Sequence, residues 1–140
     1  MPVAIDDFRK AHAELRLQTE SLRRAAREIP HLSRLDRAAV RDAVLDFLKR
    51  DVEPHTKLDE RLLYPEVNER MGDPLATASM AYDHLAIRRW IEDIEATDPA
   101  DADRLQELLY GLDALMRVHI WKEDALYLPA LEDADWPAGR

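Results

Sequence analysis

Apolar and polar positions along the chain alternate with a helical period. Ile5, Phe8, His12, Leu15, Thr19, Leu22, Ala26 and Ile29 step by threes and fours, which lays an apolar stripe along one helix face with a histidine inside it. Asp6 or Asp7 offers a cap at its start, and Pro30 predicts its end. A second stripe, Val40, Val44, Leu48, Val52, His55, Asp59 and Leu62, predicts a helix from about Asp36 to about Arg70. Pro54 falls inside it and predicts a kink or irregularity just before His55. Asp73-Pro74 reads as a cap and first-turn proline for a third helix, with the stripe Thr77, Met80, His84, Ile87, Ile91 and Ile94. Asp98-Pro99 repeats that signal for a fourth, with Leu105, Leu108, Leu112, Leu115, His119, Lys122 and Leu126.

The connections between these segments are short, so consecutive helices pack antiparallel. The expectation is an all-α, up-down-up-down four-helix bundle over residues 1–132, followed by an irregular C-terminal tail at 133–140 that contains Trp136-Pro137. No linker or second domain interrupts the pattern.

Composition narrows the function. The chain has 140 residues, with 46% hydrophobic and 35% charged, which suits amphipathic helices. Its formal net charge of −9, with no cluster of Lys and Arg, argues against nucleic-acid binding. There is no cysteine, which removes disulfides, thiolate metal sites, iron–sulfur clusters and thiol nucleophiles. No apolar run has the length of a membrane span and no signal peptide is visible, so the expected location is cytoplasmic, away from membranes.

The chemistry lies in an internal repeat. His55 is followed by Asp59, Glu60 and Pro65, and His119 by Glu123, Asp124 and Pro129, so each histidine has acids four and five residues on and a proline ten residues on. Each motif follows a helix with a lone histidine on its apolar stripe, His12 or His84. Side chains four apart stand one above the other on a helix, about 5–6 Å apart at Cβ, close enough to share a metal or to bridge two. Counting from the turns, the four histidines differ in depth by about 6–8 Å per step at 1.5 Å rise per residue, which helix stagger can absorb. His31 sits about 28 Å along the helix from His12 by the same rise and cannot join them.

A lone histidine on an apolar stripe is more often a core residue than a ligand, and acids at helix ends are often solvated. Here four histidines reach one level. Burying Asp59 or Glu123 among them without a partner would cost several kcal/mol. A metal supplies that partner, and imidazole with carboxylate suits iron, manganese or zinc. Glu60 and Asp124, one residue further round, read as solvated or as supports behind the ligands. Tyr64, Tyr127, Trp90 and Trp121 read most simply as packing residues.

With these residues in view, the chain resembles the hemerythrin-like, or HHE cation-binding, family, whose signature is a helix-borne histidine followed by H-x-x-x-E, given twice. The resemblance spans about Ile5 to Pro129. It implies His12, His55, His84 and His119 as terminal ligands of two iron ions. It also implies Asp59 and Glu123 as bridging carboxylates of a di-iron centre with an oxo or hydroxo bridge. Two departures stand out. Arg88 occupies the position, one turn after His84, where oxygen-carrying members have another histidine, and an arginine does not ligate a metal. From there it could support a ligating carboxylate or a bound anion. Asp59 stands where glutamate is usual. The function implied is a non-haem di-iron protein that binds or reacts with oxygen, nitric oxide or hydrogen peroxide, as sensor, scavenger or low-turnover redox enzyme. The alternatives are a reversible oxygen carrier or iron store, and an interaction module without metal.

Overall fold

The computed structural model describes residues 4–132. Helix α1 (Ile5–Glu28) ends in a short 3-10 turn, Ile29–His31, set by Pro30. A second rod runs through α2 (Arg34–Phe47), α3 (Glu53–Leu58) and α4 (Tyr64–Met71). Helix α5 (Ala78–Ala96) forms the third, and α6 (Ala102–Lys122) with α7 (Leu128–Glu132) the fourth. No strand occurs among the described residues. The rods form an all-α four-helix bundle in which α1 and α5 pack against α6 and α2 packs against α5. The expected tail at 133–140, with Trp136-Pro137, lies outside the described residues.

Caps fix the ends. Ser33 accepts the amide of Asp36 and starts the second rod, and Gly72, at φ 67°, closes it in the left-handed region. The two Asp-Pro pairs begin turns instead of helices. Asp73 accepts the amide of Leu75 and Asp98 that of Ala100, and the helices start only at Ala78 and Ala102. Asp101, three residues beyond Asp98, is the side chain that caps α6, accepting from Arg104. At the first helix Ala4 precedes Ile5 without a side-chain cap, and Asp6 and Asp7 lie in the first turn.

Three π turns interrupt the long rods, at Leu48–Val52, Asp59–Leu63 and Glu123–Tyr127. In each the next amide reaches back five residues: Glu53 to Leu48, Tyr64 to Asp59, Leu128 to Glu123. The following residue is a proline every time, Pro54, Pro65 or Pro129. A proline ring collides with the carbonyl four residues earlier and has no N–H to offer it, and a widened turn relieves the clash. The irregularity expected before His55 is the first of these turns. The other two correct the sequence expectation. Leu62 and Leu126 do not face the core but are 44% and 50% exposed, while the next residues, Leu63 and Tyr127, are buried. The extra residue in each turn has shifted the register by one.

The main core fills one end of the bundle, with Leu22, Leu48, Ile94, Leu105, Leu109 and Leu112 at its centre. A smaller apolar cluster of Phe8, Leu63, Tyr64, Val67, Met80, Tyr127 and Leu128 closes the other end. Trp121, expected to pack, is exposed.

Candidate metal centre

Between the two apolar clusters lie the polar residues that the stripes placed inside. His12, Asp59, His84, His119 and Glu123 are buried, and His55 keeps 11% of its side chain exposed. His12 comes from α1, His55 from α3, His84 from α5 and His119 from α6, so all four rods contribute. His31 is exposed at the far turn.

The rings are held from behind. Asp124 Oδ1 lies 2.7 Å from His12 Nδ1, Glu60 Oε1 2.9 Å from His84 Nδ1, and Asp83 Oδ2 2.9 Å from His119 Nδ1. A carboxylate at Nδ1 fixes the proton there and leaves the Nε2 lone pair facing inward. The inward nitrogens then meet in pairs, with His12 Nε2 3.1 Å from His55 Nε2 and His84 Nε2 3.1 Å from His119 Nε2. Burial, then the neighbouring His12, pushes His55 down to about 4, so its ring is neutral near pH 7.

Asp59 and Glu123 sit between the pairs. Asp59 Oδ1 is 3.4 Å from His55 Nε2, and its Oδ2 is 3.3 Å from His84 Nε2 and 3.8 Å from His119 Nε2. Glu123 Oε1 is 3.4 Å from His12 Nε2 and 3.5 Å from His119 Nε2. All four carboxylate oxygens are buried without a hydrogen-bond partner. Burial pushes Asp59 up to about 7, with the charge of Glu123 adding to it and the His119 imidazole opposing. Burial pushes Glu123 the same way, but the His12 and His119 imidazoles beside it outweigh that and hold it below the ordinary carboxylate value.

Lone pairs facing lone pairs and orphaned carboxylates are costly without a cation among them. His12, His55, Asp59 and Glu123 bring donor atoms within 4.8 Å of one another, as do Asp59, His84 and His119, so Asp59 belongs to both groups. Neighbouring donors about 2.1 Å from one cation stand about 3 Å apart, which is the spacing of each histidine pair. The donor set therefore fits two cations of nitrogen and oxygen preference.

Glu60 and Asp124 reach histidines on other helices, each motif supporting the lone histidine of the other hairpin. Asp124 also pairs with Arg16. Arg88 is half-buried one turn after His84 and forms no hydrogen bond or ion pair among the described residues. The structure does not bring it into polar contact with the cluster.

Two residues at the site escaped the sequence reading. Asp83 precedes His84 and reaches sideways to His119 and to Lys122 Nζ, 2.7 Å away. Tyr64 places its hydroxyl 3.1 Å from His84 Nε2 and 3.3 Å from His119 Nε2. Burial pushes its phenol up, well above the ordinary value. Tyr64 is nine residues beyond His55, about two and a half turns of a regular helix, and so belongs on the opposite side. The π turn at Asp59–Leu63 absorbs one residue and brings it inward. Pro65 was the available signal. Tyr127 behaves as a packing residue whose hydroxyl donates to the Ala76 carbonyl.

The hemerythrin HHE cation binding domain profile matches residues 3–131. The chain belongs to the hemerythrin HHE cation-binding family. Neither curated proteins nor solved structures gave a match to it. The family match and the buried groups of histidine, aspartate and glutamate together mark the chain as a metal-binding protein. Among the described residues no helix is long and apolar enough to cross a membrane.

Proposed function

We propose that this chain is a non-haem di-iron protein that binds or reacts with oxygen, nitric oxide or hydrogen peroxide, acting as sensor, scavenger or low-turnover redox enzyme. The observation that carries the reading is the pair of orphaned carboxylates, Asp59 and Glu123, each lying within 4 Å of nitrogens from both histidine pairs. In this reading His12 and His55 hold one iron, His84 and His119 the other, and Asp59 and Glu123 span them. Bound iron supplies redox change and open positions for a small ligand.

The protein's own part is positioning and exclusion. Asp124, Glu60 and Asp83 orient three of the rings. Phe8 meets His12 and His55 edge-on, with ring centroids 6.2 and 5.9 Å away, and shields that side from water. Tyr64 holds a proton within reach of the His84 and His119 nitrogens. An open surface groove of about 250 Å³, lined by Ala11, Leu15, Pro54, His55 and Leu58 among others, lies beside His55. In this reading a small ligand approaches from that groove.

The test is metal analysis of the purified protein, with close to two iron atoms per chain expected. A value near one, or full occupancy by zinc alone, defeats the reading. Cycling the reduced protein between oxygen and vacuum separates the uses. Decay to an oxidised spectrum supports reaction, whereas an oxygenated band that vanishes on degassing and returns over many cycles makes the chain a carrier. Arg88 in place of a further imidazole favours reaction.

A further inference from the structure

The two halves of the repeat do not end alike. Counting from the paired motifs, Tyr64 is nine residues after His55, and the residue nine after His119 is Leu128. Both directly follow a π turn, both precede a proline, and both are buried in the small apolar cluster. One therefore presents a hydroxyl to the site where the other presents only carbon.

The Tyr64 oxygen is the third corner of a nearly equilateral triangle. Its sides are 3.1 Å to His84 Nε2, 3.3 Å to His119 Nε2, and 3.1 Å between the two nitrogens. Three donor atoms about 3 Å apart have the spacing of three neighbouring ligands of one cation. The phenol ring lies stacked on His84, centroids 5.5 Å apart at 22°, and is buried, so water does not compete for the oxygen. Each ring has a carboxylate at its Nδ1, Glu60 or Asp83, which favours the tautomer protonated there. A single phenol hydrogen thus faces two lone pairs.

We propose that the Tyr64 oxygen is a ligand of the metal held by His84 and His119. The proposal rests on the metal reading above. When a cation takes both nitrogen lone pairs, the phenol loses its acceptors. Its O–H bond breaks, the proton passes to water, and an oxygen–metal bond forms in its place, with no change of oxidation state. Leu128 gives the His12–His55 side no counterpart, so that metal keeps the freer position. The groove beside His55 opens toward the same side. Exogenous ligand then binds at the His12–His55 metal, and Tyr64 makes the two metals chemically unequal.

The test is the visible absorption and resonance Raman spectrum of protein loaded with iron(III), with iron counted in the same samples. A phenolate-to-iron charge-transfer band is expected, with Raman modes that shift when the protein is labelled with ring-deuterated tyrosine. In Tyr64→Phe the band is lost while about two irons remain; in Tyr127→Phe, which removes the other buried phenol of that cluster, it persists. Two irons per chain in the wild type without an isotope-sensitive tyrosinate mode overturns this proposal and leaves the di-iron reading standing. A band that survives in Tyr64→Phe also overturns it. Failure of the wild type to take up iron defeats both. The labelled wild-type spectrum decides even if Tyr64→Phe does not fold.

Discussion

His119 Nδ1 lies 2.9 Å from Asp83 Oδ2, and the same carboxylate oxygen takes Lys122 Nζ at 2.7 Å. In the first hairpin the residue before the lone histidine is Ala11, which has nothing to offer His55. Asp83 is itself held below its ordinary value. Burial works against that, but the hydrogen bonds from Lys122 and His119 prevail. One histidine pair is therefore braced on both rings and the other on one.

That difference predicts opposite effects of two substitutions. Asp83→Ala should weaken metal at the His84–His119 side about 10- to 100-fold, the usual effect of losing such a support. Ala11→Asp should slow metal loss from the His12–His55 side. Competition with a graded chelator measures both, and unchanged affinity in Asp83→Ala would remove Asp83 from the site.

Stability of the metal-free protein should fall as pH rises from about 6 to about 8. Asp59 is raised from the ordinary carboxylate range to about 7, so its protonated form favours folding, and that contribution is lost as pH climbs through 7. His55, lowered to about 4, acts oppositely. Its contribution is lost as pH falls below its ordinary value of 6.5, and is fully present above it. The two oppose each other between 4 and 6.5, leaving Asp59 to set the trend beyond. Melting temperatures in chelator at the two pH values check this, and Asp59→Asn should flatten the difference. Metal affinity should move the other way, rising with pH as Asp59 gives up its proton.

His119→Ala in metal-loaded protein should cost on the order of 3 kcal/mol or more, because it removes a ligand and leaves the carboxylates short of their cation. His31→Ala, at an exposed turn, should change little. Equal melting temperatures for the two would contradict the assigned roles.

Gly111→Ala tests the bundle away from the site. A Cβ at Gly111 would stand 2.6 Å from the Trp90 ring, which is pinned by its Nε1–H bond of 2.8 Å to the Leu108 carbonyl. Overpacking of this kind costs about 1–3 kcal/mol. Denaturant unfolding should show that loss, and Trp90→Leu in the same chain should recover part of it.

Much of this was legible in the chain. Apolar spacing placed the histidines of α1, α3, α5 and α6 inside one bundle because a helix fixes which side chains share a face. The acids four residues after His55 and His119 fell where that geometry puts them. What escaped depended on departures from the regular helix or on sideways reach. Leu62, Leu126 and Tyr64 all changed sides because a π turn moved the register. Asp83 finds its partner on α6, and nothing in its own helix's periodicity announces that.

The π turn at Asp59–Leu63 sets regularity against usefulness. The same residues wound as a regular helix would have an uninterrupted hydrogen-bond ladder across the break, apart from the strain at Pro65. That helix would also carry Tyr64 and the whole of α4 about 100° around the axis, one residue's worth of rotation. The phenol would leave His84 and His119, and the apolar lid that includes Val67 would turn with it. The better helix would be the poorer protein, and the fault in the ladder is where the site acquires its oxygen donor.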